Sequence, residues 1–274
     1  MADAMNTSPM KTSPQPMDIN VPNAARVYDY SLGGAHNFEA DRGAAEFMFT
    51  LVPSTKKWVR LLRMFLTEAA ERMAEQGYND FLDLASGLPT MEHIHSSVPN
   101  AKVIYVDNDP VVVNYGMEIL GDNPNVRYLE ADIRDIDNVL KAPVVQELFG
   151  DNRRLALGFN GVTVFLSDEE IQKIMRATYD FAASGSKMWV TWETQDPTKM
   201  TPQWGQFLGM FEQMGSPIHL VPEDKARELV KPWQISEPGF RPITAWCGLP
   251  DDYITEADRE QVGLEFYGVF LEKP

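Results

Sequence analysis

Hydrophobic residues recur along this chain with the two periods that are typical of helices and of strands. Over positions 54–76 they return every three or four residues, which predicts a long amphipathic helix that ends at Gly77. Farther along, short apolar runs alternate with helical patterns. The apolar runs predict strands at 81–84, 102–106, 126–129, 155–159 (or on to 165), 187–192 and 265–271. Strands that alternate with helices indicate a mostly parallel sheet with helices on both faces.

Helices are predicted in most of the gaps between these strands. They cover residues 91–97, 110–120, 136–148, 168–183, 203–214 and 223–231. Ser167 stands before one of them with Glu170 three residues later, which is the spacing of a capping box. His219 lies between two of the helices and is predicted to be a strand residue.

The chain divides by composition into a tail, a cap and one large domain. Residues 1–20 are polar and contain three prolines, so we expect a disordered tail. Residues 21–78 are predicted to form an N-terminal helical cap with a break at Gly33 and Gly34. Residues 79–274 then form one α/β domain. Its proline- and glycine-rich stretch 233–252 is either a lid or a long connection.

The charge and the cysteine content narrow the class of partner and the compartment. With 40 acidic and 24 basic residues the formal net charge is −16, so we expect neither nucleic acid nor a membrane surface as a partner. Cys247 is the only cysteine, which excludes an internal disulfide and a cysteine-rich zinc site. The sequence contains no apolar run of spanning length and no secretory signal pattern. We therefore predict a cytoplasmic protein.

Acidic residues follow the ends of three successive predicted strands, where ligands of an open α/β sheet bind. Asp83 ends the first strand, and Gly87 permits a tight turn toward a helix N-terminus. Asp107 ends the second strand, near the position from which a carboxylate accepts hydrogen bonds from ribose hydroxyls. Asp132 ends the third strand and can accept from an adenine amino group while Ile133 packs on the ring.

Together the three acids favour a ligand that carries adenosine, although each alone is also typical of a turn or a helix cap. Asn108 is likewise either a ligand contact or a cap for the helix at Pro110. A dinucleotide is disfavoured because Ala85 and Ser86 stand where a pyrophosphate loop needs glycines. Asp83 would repel a pyrophosphate but suits the ammonium of a methionine moiety. The pattern therefore favours S-adenosylmethionine.

Four segments carry a more specific signal: PNAARVYDYSLGGAHNFEADR, FLDLASGLPT, VIYVDNDPVVV and LEADIRD. With them the chain resembles the S-adenosyl methyltransferase family abundant in actinomycetes, from about Val21 through the fifth strand and more weakly to the end. The resemblance implies a Rossmann-like class I methyltransferase fold, with a mostly parallel seven-stranded sheet and an N-terminal helical cap. It also implies S-adenosylmethionine as cofactor. We take a small molecule to be the methyl acceptor.

The same resemblance implies roles for particular residues. Asp83 and Gly87 would hold the methionine part, Asp107 the ribose, and Asp132 with Ile133 the adenine. The segment 26–38 would fold over the cofactor, although Tyr28 within it is equally suited to packing. The predicted cofactor-binding residues are Arg26, Tyr28, Asp83, Ala85, Gly87, Asp107, Asn108, Asp132, Ile133 and Asn160.

The chain departs from the family pattern at Ala85, which belongs to the methionine pocket, and at Ala35-His36 and Val164, which we expect to face the acceptor. The family usually has Lys-Asp at Ala35-His36, histidine at Val164 and glycine at Ala85. His36 is the candidate catalytic base, because a histidine titrates near neutral pH; the alternative is a solvated loop residue. No metal site is predicted, since His93 and His95 do not share a helical face.

The acceptor side is less well specified by the sequence. Trp192 and Glu193 end the fifth strand in position to line it. Trp204, Phe207 and Phe211 follow at helical spacing, which favours the buried face of a helix over an aromatic substrate box. Two other functions remain open: a protein that binds S-adenosylmethionine without transferring its methyl group, and an enzyme that uses this cofactor for different chemistry.

Overall fold

A central β-sheet determines where the other elements lie in the computed structural model, which describes residues 19–90, 92–195 and 201–274. The strands are β1 (Asp80–Leu84), β2 (Lys102–Asp107), β3 (Val126–Glu130), β4 (Ala156–Phe159), β5 (Lys187–Gln195), β6 (Gln234–Ile235), β7 (Arg241–Pro242) and β8 (Leu264–Glu272). Their spatial order is β3-β2-β1-β4-β5-β8-β6, and β7 also pairs with β8. The first five strands pair in parallel, whereas β8 is antiparallel to β5, β6 and β7.

Helices cover both faces of this sheet. They are α1 (Ala24–Ser31), α2 (Glu39–Leu51), α3 (Thr55–Glu75), α4 (Ile94–Ser97), α5 (Pro110–Leu120), α6 (Ile136–Lys141), α7 (Pro143–Phe149), α8 (Asp168–Phe181), α9 (Pro202–Gln213), α10 (Glu223–Leu229), α11 (Ile243–Trp246) and α12 (Glu256–Val262). None of the helices in the described ranges is both long and apolar enough to cross a membrane. The Rossmann-like α/β fold predicted from the sequence is confirmed.

Alternation along the strands divides the core into two hydrophobic clusters. Phe81 and Trp189 belong to the cluster beneath α1, α2, α3 and α9, which we call the cap face. Leu82 and Trp192 belong to the opposite cluster, beneath α6, α7, α8 and α10. Since side chains two positions apart share a face, Asp83 on β1 and Glu193 on β5 project toward the cap face.

The cap reaches the sheet mainly through the long helix α3. Leu61, Phe65 and Ala69 recur at helical spacing and are fully buried, as the periodicity predicts. The backbone of β8 approaches this helix closely at Gly268, where a Cβ atom would lie 2.5 Å from the Phe65 ring. Residues 1–18 of the predicted tail lie outside the described residues.

The described sheet has eight strands, one more than the family resemblance implies. Six of them correspond to the predicted apolar runs, and the stretch 233–252 contributes β6 and β7. These two-residue strands pair with β8, and Trp246 of α11 donates from Nε1 to the Gly268 carbonyl at 2.8 Å. The stretch therefore packs along the sheet, which favours a connection over a lid.

Two predictions for single elements were wrong, the helix over 136–148 and the strand at His219, whereas the shorter of the two ranges predicted for the fourth strand is confirmed. The helix expected over 136–148 breaks between α6 and α7, because Pro143 has no N–H to continue the ladder. Strand β4 ends at Phe159, and residues 163–165 form a 3₁₀ turn. His219 is in no strand, although its N–H donates to the Val164 carbonyl at 2.6 Å. The capping box of Ser167 and Glu170 is confirmed.

Candidate functional site

A cavity of about 310 Å³ lies between the cap and the edge of the sheet where the parallel strands end. The carboxyl ends of β1, β2 and β4 meet at this edge because these strands are parallel neighbours. Helices α1 and α3 contribute Tyr28 and Arg63 from the opposite side. The site is thus enclosed by residues far apart in sequence.

Asp83 is the most deeply buried carboxyl of the site. Its side chain is 1% exposed, and its Oδ2 atom has no hydrogen-bond partner among the described residues. Burial raises the pKa of Asp83 to about 7; the charge of Arg63 lowers it, and the charge of Asp107 raises it further. A cationic ligand group would stabilise the ionised form.

Arg63 supplies the opposite charge from the middle of α3. It is 3% exposed, and its Nε and Nη1 atoms have no hydrogen-bond partner in the described part of the chain. Its guanidinium carbon lies 5.6 Å from the centre of the Tyr28 ring. A buried cation whose N–H groups lack acceptors destabilises the protein, so Arg63 is suited to bind an anionic group of a ligand.

The loop after β1 is held against the end of β2. The Gly87 N–H donates to Asp107 Oδ2 at 2.9 Å, and the Tyr128 hydroxyl donates to the Gly87 carbonyl at 2.6 Å. Gly87 has φ +63° and Ala85 has φ +56°. A left-handed conformation is costly for alanine, so this turn holds strain at the position where the family usually has glycine.

The Asp107 carboxylate retains acceptor positions for a ligand, although nearby backbone N–H groups occupy some of them. Oδ1 accepts from the Asp109 N–H at 3.0 Å, and Oδ2 accepts from Gly87. Burial raises the pKa of Asp107 to about 6 against the lowering effect of these backbone donors. A carboxylate offers about four acceptor positions, so two remain for a ligand's hydroxyl groups.

The end of β3 closes the other side of the cavity. Ile133 is 5% exposed, and Asp132 caps the 3₁₀ turn that follows by accepting from the Arg134 N–H at 2.9 Å. The Asp132 side chain is 40% exposed and also pairs with the Arg134 guanidinium at 3.2 Å. Ile133 therefore offers an apolar wall, and Asp132 offers a carboxylate that already has one cationic partner.

The end of β4 lies between β1 and β5. Asn160 donates from Nδ2 to the Leu62 carbonyl at 3.3 Å, and its Oδ1 atom is buried without a hydrogen-bond partner. The Gly161 N–H donates to Thr191 Oγ1 at 2.6 Å. Beyond this strand the cavity becomes apolar and contains the carboxyl of Glu193.

Comparison with known proteins agrees with this geometry. A family model described as S-adenosyl methyltransferase matches residues 10–271. The chain belongs to the S-adenosyl methyltransferase family. It functions with S-adenosylmethionine as its cofactor. None of the curated proteins compared with the chain matches it.

Two solved structures resemble this methyltransferase over nearly its whole length. One is a DUF574 family protein from Streptomyces avermitilis, with a TM-score of 0.81 and 28% identity, covering 94% of this chain and 99% of that protein. The other is a proposed methyltransferase from Thermobifida fusca, with the same TM-score and identity, covering 96% and 99%.

The residues of the methyltransferase's cavity fit S-adenosylmethionine. Asp83 Oδ2 and the Nε and Nη1 atoms of Arg63 are buried without a hydrogen bond among the described residues and belong to groups of opposite charge, which suits an ammonium and a carboxylate. His93 Nε2 lies 3.8 Å from Asp83 Oδ2, but burial holds the pKa of this histidine well below its ordinary value, so it does not supply a positive charge. Asp107 retains acceptors for hydroxyl groups, and Ile133 offers an apolar surface. The donor set therefore matches an amino acid joined to a nucleoside.

Nine of the ten predicted cofactor residues line this cavity, and Arg26 does not. Arg26 instead pairs with Asp41 at 2.8 Å and Asp109 at 3.4 Å, and its Nη2 donates to the Val21 carbonyl at 2.7 Å. All three partners belong to the protein, so the guanidinium links α1 to the start of α2 and to the loop after β2 rather than facing the ligand.

His36, the predicted base, also lies outside the cavity lining. Its ring packs edge-on against Tyr115 at 5.3 Å, and its backbone N–H donates to Asp29 at 2.9 Å. The neighbouring Ala35 does not line the cavity either, whereas Val164 does. The geometry does not favour a proton-transfer role for His36.

Arg63 was not predicted from the sequence as a site residue, and Glu193 was predicted only to line the acceptor side. Arg63 lies on the same stripe of α3 as Val59, Leu62 and Leu66, all of which line the cavity. A charged residue on an otherwise apolar stripe was the available signal. Trp192, expected beside Glu193, packs into the opposite hydrophobic cluster because neighbouring strand residues point to opposite faces.

Proposed function

We propose that this methyltransferase transfers the methyl group of S-adenosylmethionine to a small-molecule acceptor bound in the same cavity. The proposal rests on the division of this cavity into a polar part and a mostly apolar part. Polar groups stand at the ends of β1, β2 and β4, and apolar side chains with one carboxyl line the part beside β5. A charged cofactor and a mostly apolar acceptor suit these two parts.

In this proposal the methionine part lies between Asp83 and Arg63. Asp83 accepts hydrogen bonds from the ammonium, and Arg63 donates to the carboxylate. Ala85 and Gly87 form the turn beside it, because their left-handed backbone brings the loop close to the ligand. The pairing gives each buried, unpartnered atom an opposite charge.

The nucleoside part lies along the ends of β2 and β3. Asp107 accepts from the ribose hydroxyl groups with Asn108 beside it, and Ile133 packs on the adenine next to Asp132. Tyr28 of α1 and Asn160 of β4 complete the lining. When bound, S-adenosylmethionine supplies a methyl group on a sulfonium, so the protein's task is to align the acceptor and exclude water.

The composition of the chain favours a small-molecule acceptor and a cytoplasmic location for the protein. A net charge of −16 opposes phosphate backbones, and a single cysteine suits a reducing compartment. The acceptor side belongs to a concave cavity of about 310 Å³, a size that suits a metabolite.

Calorimetry with S-adenosylhomocysteine tests the cofactor site. We expect Asp107→Asn to weaken binding at least about tenfold, because a hydrogen bond to a charged group contributes roughly 1.5–3 kcal/mol. Asp122→Asn, an exposed aspartate on the loop after α5, serves as the control and should leave the affinity unchanged. Equal affinities of the two variants would exclude the assigned site.

Mass spectrometry of reaction products tests the transfer itself. The proposal expects an acceptor that gains the mass of one methylene, together with S-adenosylhomocysteine. Cofactor consumption with a different mass change would instead support other chemistry on S-adenosylmethionine.

A further inference from the structure

Glu193 occupies an unusual place for a carboxyl group. It lies on β5 opposite Phe266 of β8, so both side chains project from the same face of the sheet toward the cap. Glu193 is 5% exposed and lines the cavity. A buried carboxyl on a cavity wall needs a partner that is either in the protein or in the ligand.

The described part of the protein gives the Glu193 carboxyl few hydrogen-bond partners and no ion pair. The single hydroxyl hydrogen of Thr163 is shared between the Thr191 carbonyl at 2.9 Å and Glu193 Oε2 at a longer 3.4 Å. None of the described lysine, arginine or histidine side chains forms an ion pair with Glu193. Burial raises the pKa of Glu193 to about 7, against the lowering effects of its own N–H and the Thr163 hydroxyl. The group can therefore gain or lose a proton near neutral pH.

Aromatic rings line the same cavity as this carboxyl. Trp204, Phe207, Phe211 and Phe165 form a continuous row with ring centres 4.8, 5.3 and 5.9 Å apart, which we call the aromatic wall. Across the cavity, Phe266 stacks on Trp58 at 4.5 Å. All six rings line the cavity, so the body of a molecule held here must be largely apolar.

We propose that the acceptor is a neutral, mostly aromatic molecule whose O–H or N–H group hydrogen-bonds to Glu193, and that Glu193 takes this proton during methyl transfer. This inference rests on the function proposed above and names its substrate class. An acceptor bearing a carboxylate or phosphate at this point is disfavoured, because a second negative charge would face Glu193. The two described cations that line the cavity are already engaged: Arg63 is assigned to the cofactor's carboxylate, and Arg134 pairs with Asp132.

The proton and the electrons balance in this step. A lone pair of the acceptor oxygen or nitrogen forms the new bond to the methyl carbon, and the bond between that carbon and sulfur breaks with its electron pair on sulfur. The acceptor's proton passes to a carboxylate oxygen of Glu193 and later leaves to solvent. Glu193 is then a catalytic residue, and Thr163 is a positioning residue that holds its Oε2.

Binding of matched naphthalene probes to the protein saturated with S-adenosylhomocysteine tests the substrate class. At pH 8 we expect 2-naphthol to bind at least about tenfold more tightly than 2-naphthoate, which carries a full charge in place of the hydroxyl. In Glu193→Gln this preference should shrink several-fold. Glu118→Gln, an exposed glutamate on α5, should keep it. Equal binding of both probes to the wild type, stronger binding of the anion, or no binding of either would overturn the proposal.

Methylation of 2-naphthol tests the proton transfer. We expect the wild-type rate to rise with pH and level off above about 7, and Glu193→Gln to lower it by roughly 10²-fold and remove this rise. Thr163→Val keeps the carboxyl but removes its donor, so its midpoint should move to higher pH; this readout applies even if Glu193→Gln fails to fold. An unchanged rate and pH profile in both variants would contradict the role of Glu193.

The two proposals fail in different ways. Loss of S-adenosylhomocysteine binding is not expected in Glu193→Gln, and calorimetry on that variant checks that the cofactor site is intact. If the wild type binds no S-adenosylhomocysteine, the proposed function is wrong. If binding is intact but the probe and pH results are negative, only the assignment of Glu193 is wrong.

Discussion

At the scale of single residues, the site concentrates buried charge that the protein alone does not neutralise. Asp83, Asp107 and Glu193 all have raised pKa values, and desolvation is the main cause in each. Such groups destabilise the free protein when they ionise. A ligand that supplies an opposite charge or a hydrogen bond offsets this destabilisation, so the burial of these carboxyl groups strengthens ligand binding.

The raised pKa of Asp83 makes cofactor affinity depend on pH. With a pKa of about 7 in the free protein, Asp83 is mostly protonated at pH 6 and mostly ionised at pH 8. An ammonium group needs the ionised form, so binding releases a proton below pH 7. We expect affinity for S-adenosylhomocysteine to rise about tenfold from pH 6 to pH 8, as measured by calorimetry.

Asp83→Asn is the variant that isolates this effect. It should bind more weakly at pH 8 and lose most of the rise, leaving the smaller contribution of Asp107 at the lower end of the range. Asp122→Asn should retain the wild-type profile. A steep rise that persists in Asp83→Asn would assign the proton to another group.

The acids of the site were predictable from the sequence, whereas the cation was not. Asp83 and Asp107 lie at the ends of β1 and β2, and Asp132 follows β3. Parallel strands bring their carboxyl ends to one edge, so local pattern was sufficient. Arg63 reaches the same cavity from α3, through a packing of cap on sheet that local pattern does not specify. The position of His36 was unpredictable for the same reason, because its ring packs against Tyr115 of α5.

At the scale of elements, one close contact between neighbouring strands fixes the direction of Asp83. Gly158 of β4 pairs with both Asp83 of β1 and Trp189 of β5. A Cβ atom at Gly158 would lie 2.5 Å from Asp83 Oδ1 and 2.5 Å from the Trp189 ring. The missing side chain thus leaves the space in which the carboxyl lies.

Gly158→Ala should therefore damage both stability and the cofactor site. Neither neighbour can move freely because both are buried, and overpacking of this kind costs about 1–3 kcal/mol. We expect lower stability in denaturant unfolding and weaker binding of S-adenosylhomocysteine. Gly43→Ala is the matched control: it lies within α2 with no atom within 4 Å of the added Cβ, and should stabilise by about 0.5–1 kcal/mol. Wild-type behaviour of Gly158→Ala would contradict the proposed fixing of Asp83.

Element type was predicted well where periodicity was long and poorly where elements were short. The strands β1, β2, β4, β5 and β8 bury most of their apolar residues in the two clusters, so their positions followed from hydrophobicity. In β3 only Val126 is buried. The two-residue strands β6 and β7 carry no period of their own and form only because β8 offers an edge. Their existence depends on tertiary pairing, which the local sequence does not encode.

At the scale of the whole molecule, the cavity exists only while the cap is docked on the sheet. Arg26 of α1 joins the two parts, because it pairs with Asp41 at the start of α2 and with Asp109 just after β2. Asp41 is fully buried and also accepts from the N–H groups of Asn23 and Phe38. These contacts hold α1, which lines the cavity, over the ends of the strands.

Arg26→Met tests whether this ion pair secures the cap. It keeps an apolar side chain but leaves Asp41 as a buried charge without its cation, which costs roughly 3–5 kcal/mol in comparable pairs. We expect reduced stability in denaturant unfolding, faster amide exchange across α1 and α2, and weaker binding of S-adenosylhomocysteine although Arg26 does not line the cavity. Arg42→Met, an exposed arginine on α2, should change stability by only about 0.5 kcal/mol.

A second substitution separates the lost ion pair from the lost packing. In Arg26→Met with Asp41→Asn the uncompensated charge is gone, so part of the stability should return, and the coupling between the two sites should be of order 0.5–3 kcal/mol. Exchange in α1 should slow again as stability returns. Additive effects of the two substitutions, or wild-type exchange in Arg26→Met, would mean that apolar packing of α1 and α2 on α3 is sufficient to keep the cavity closed.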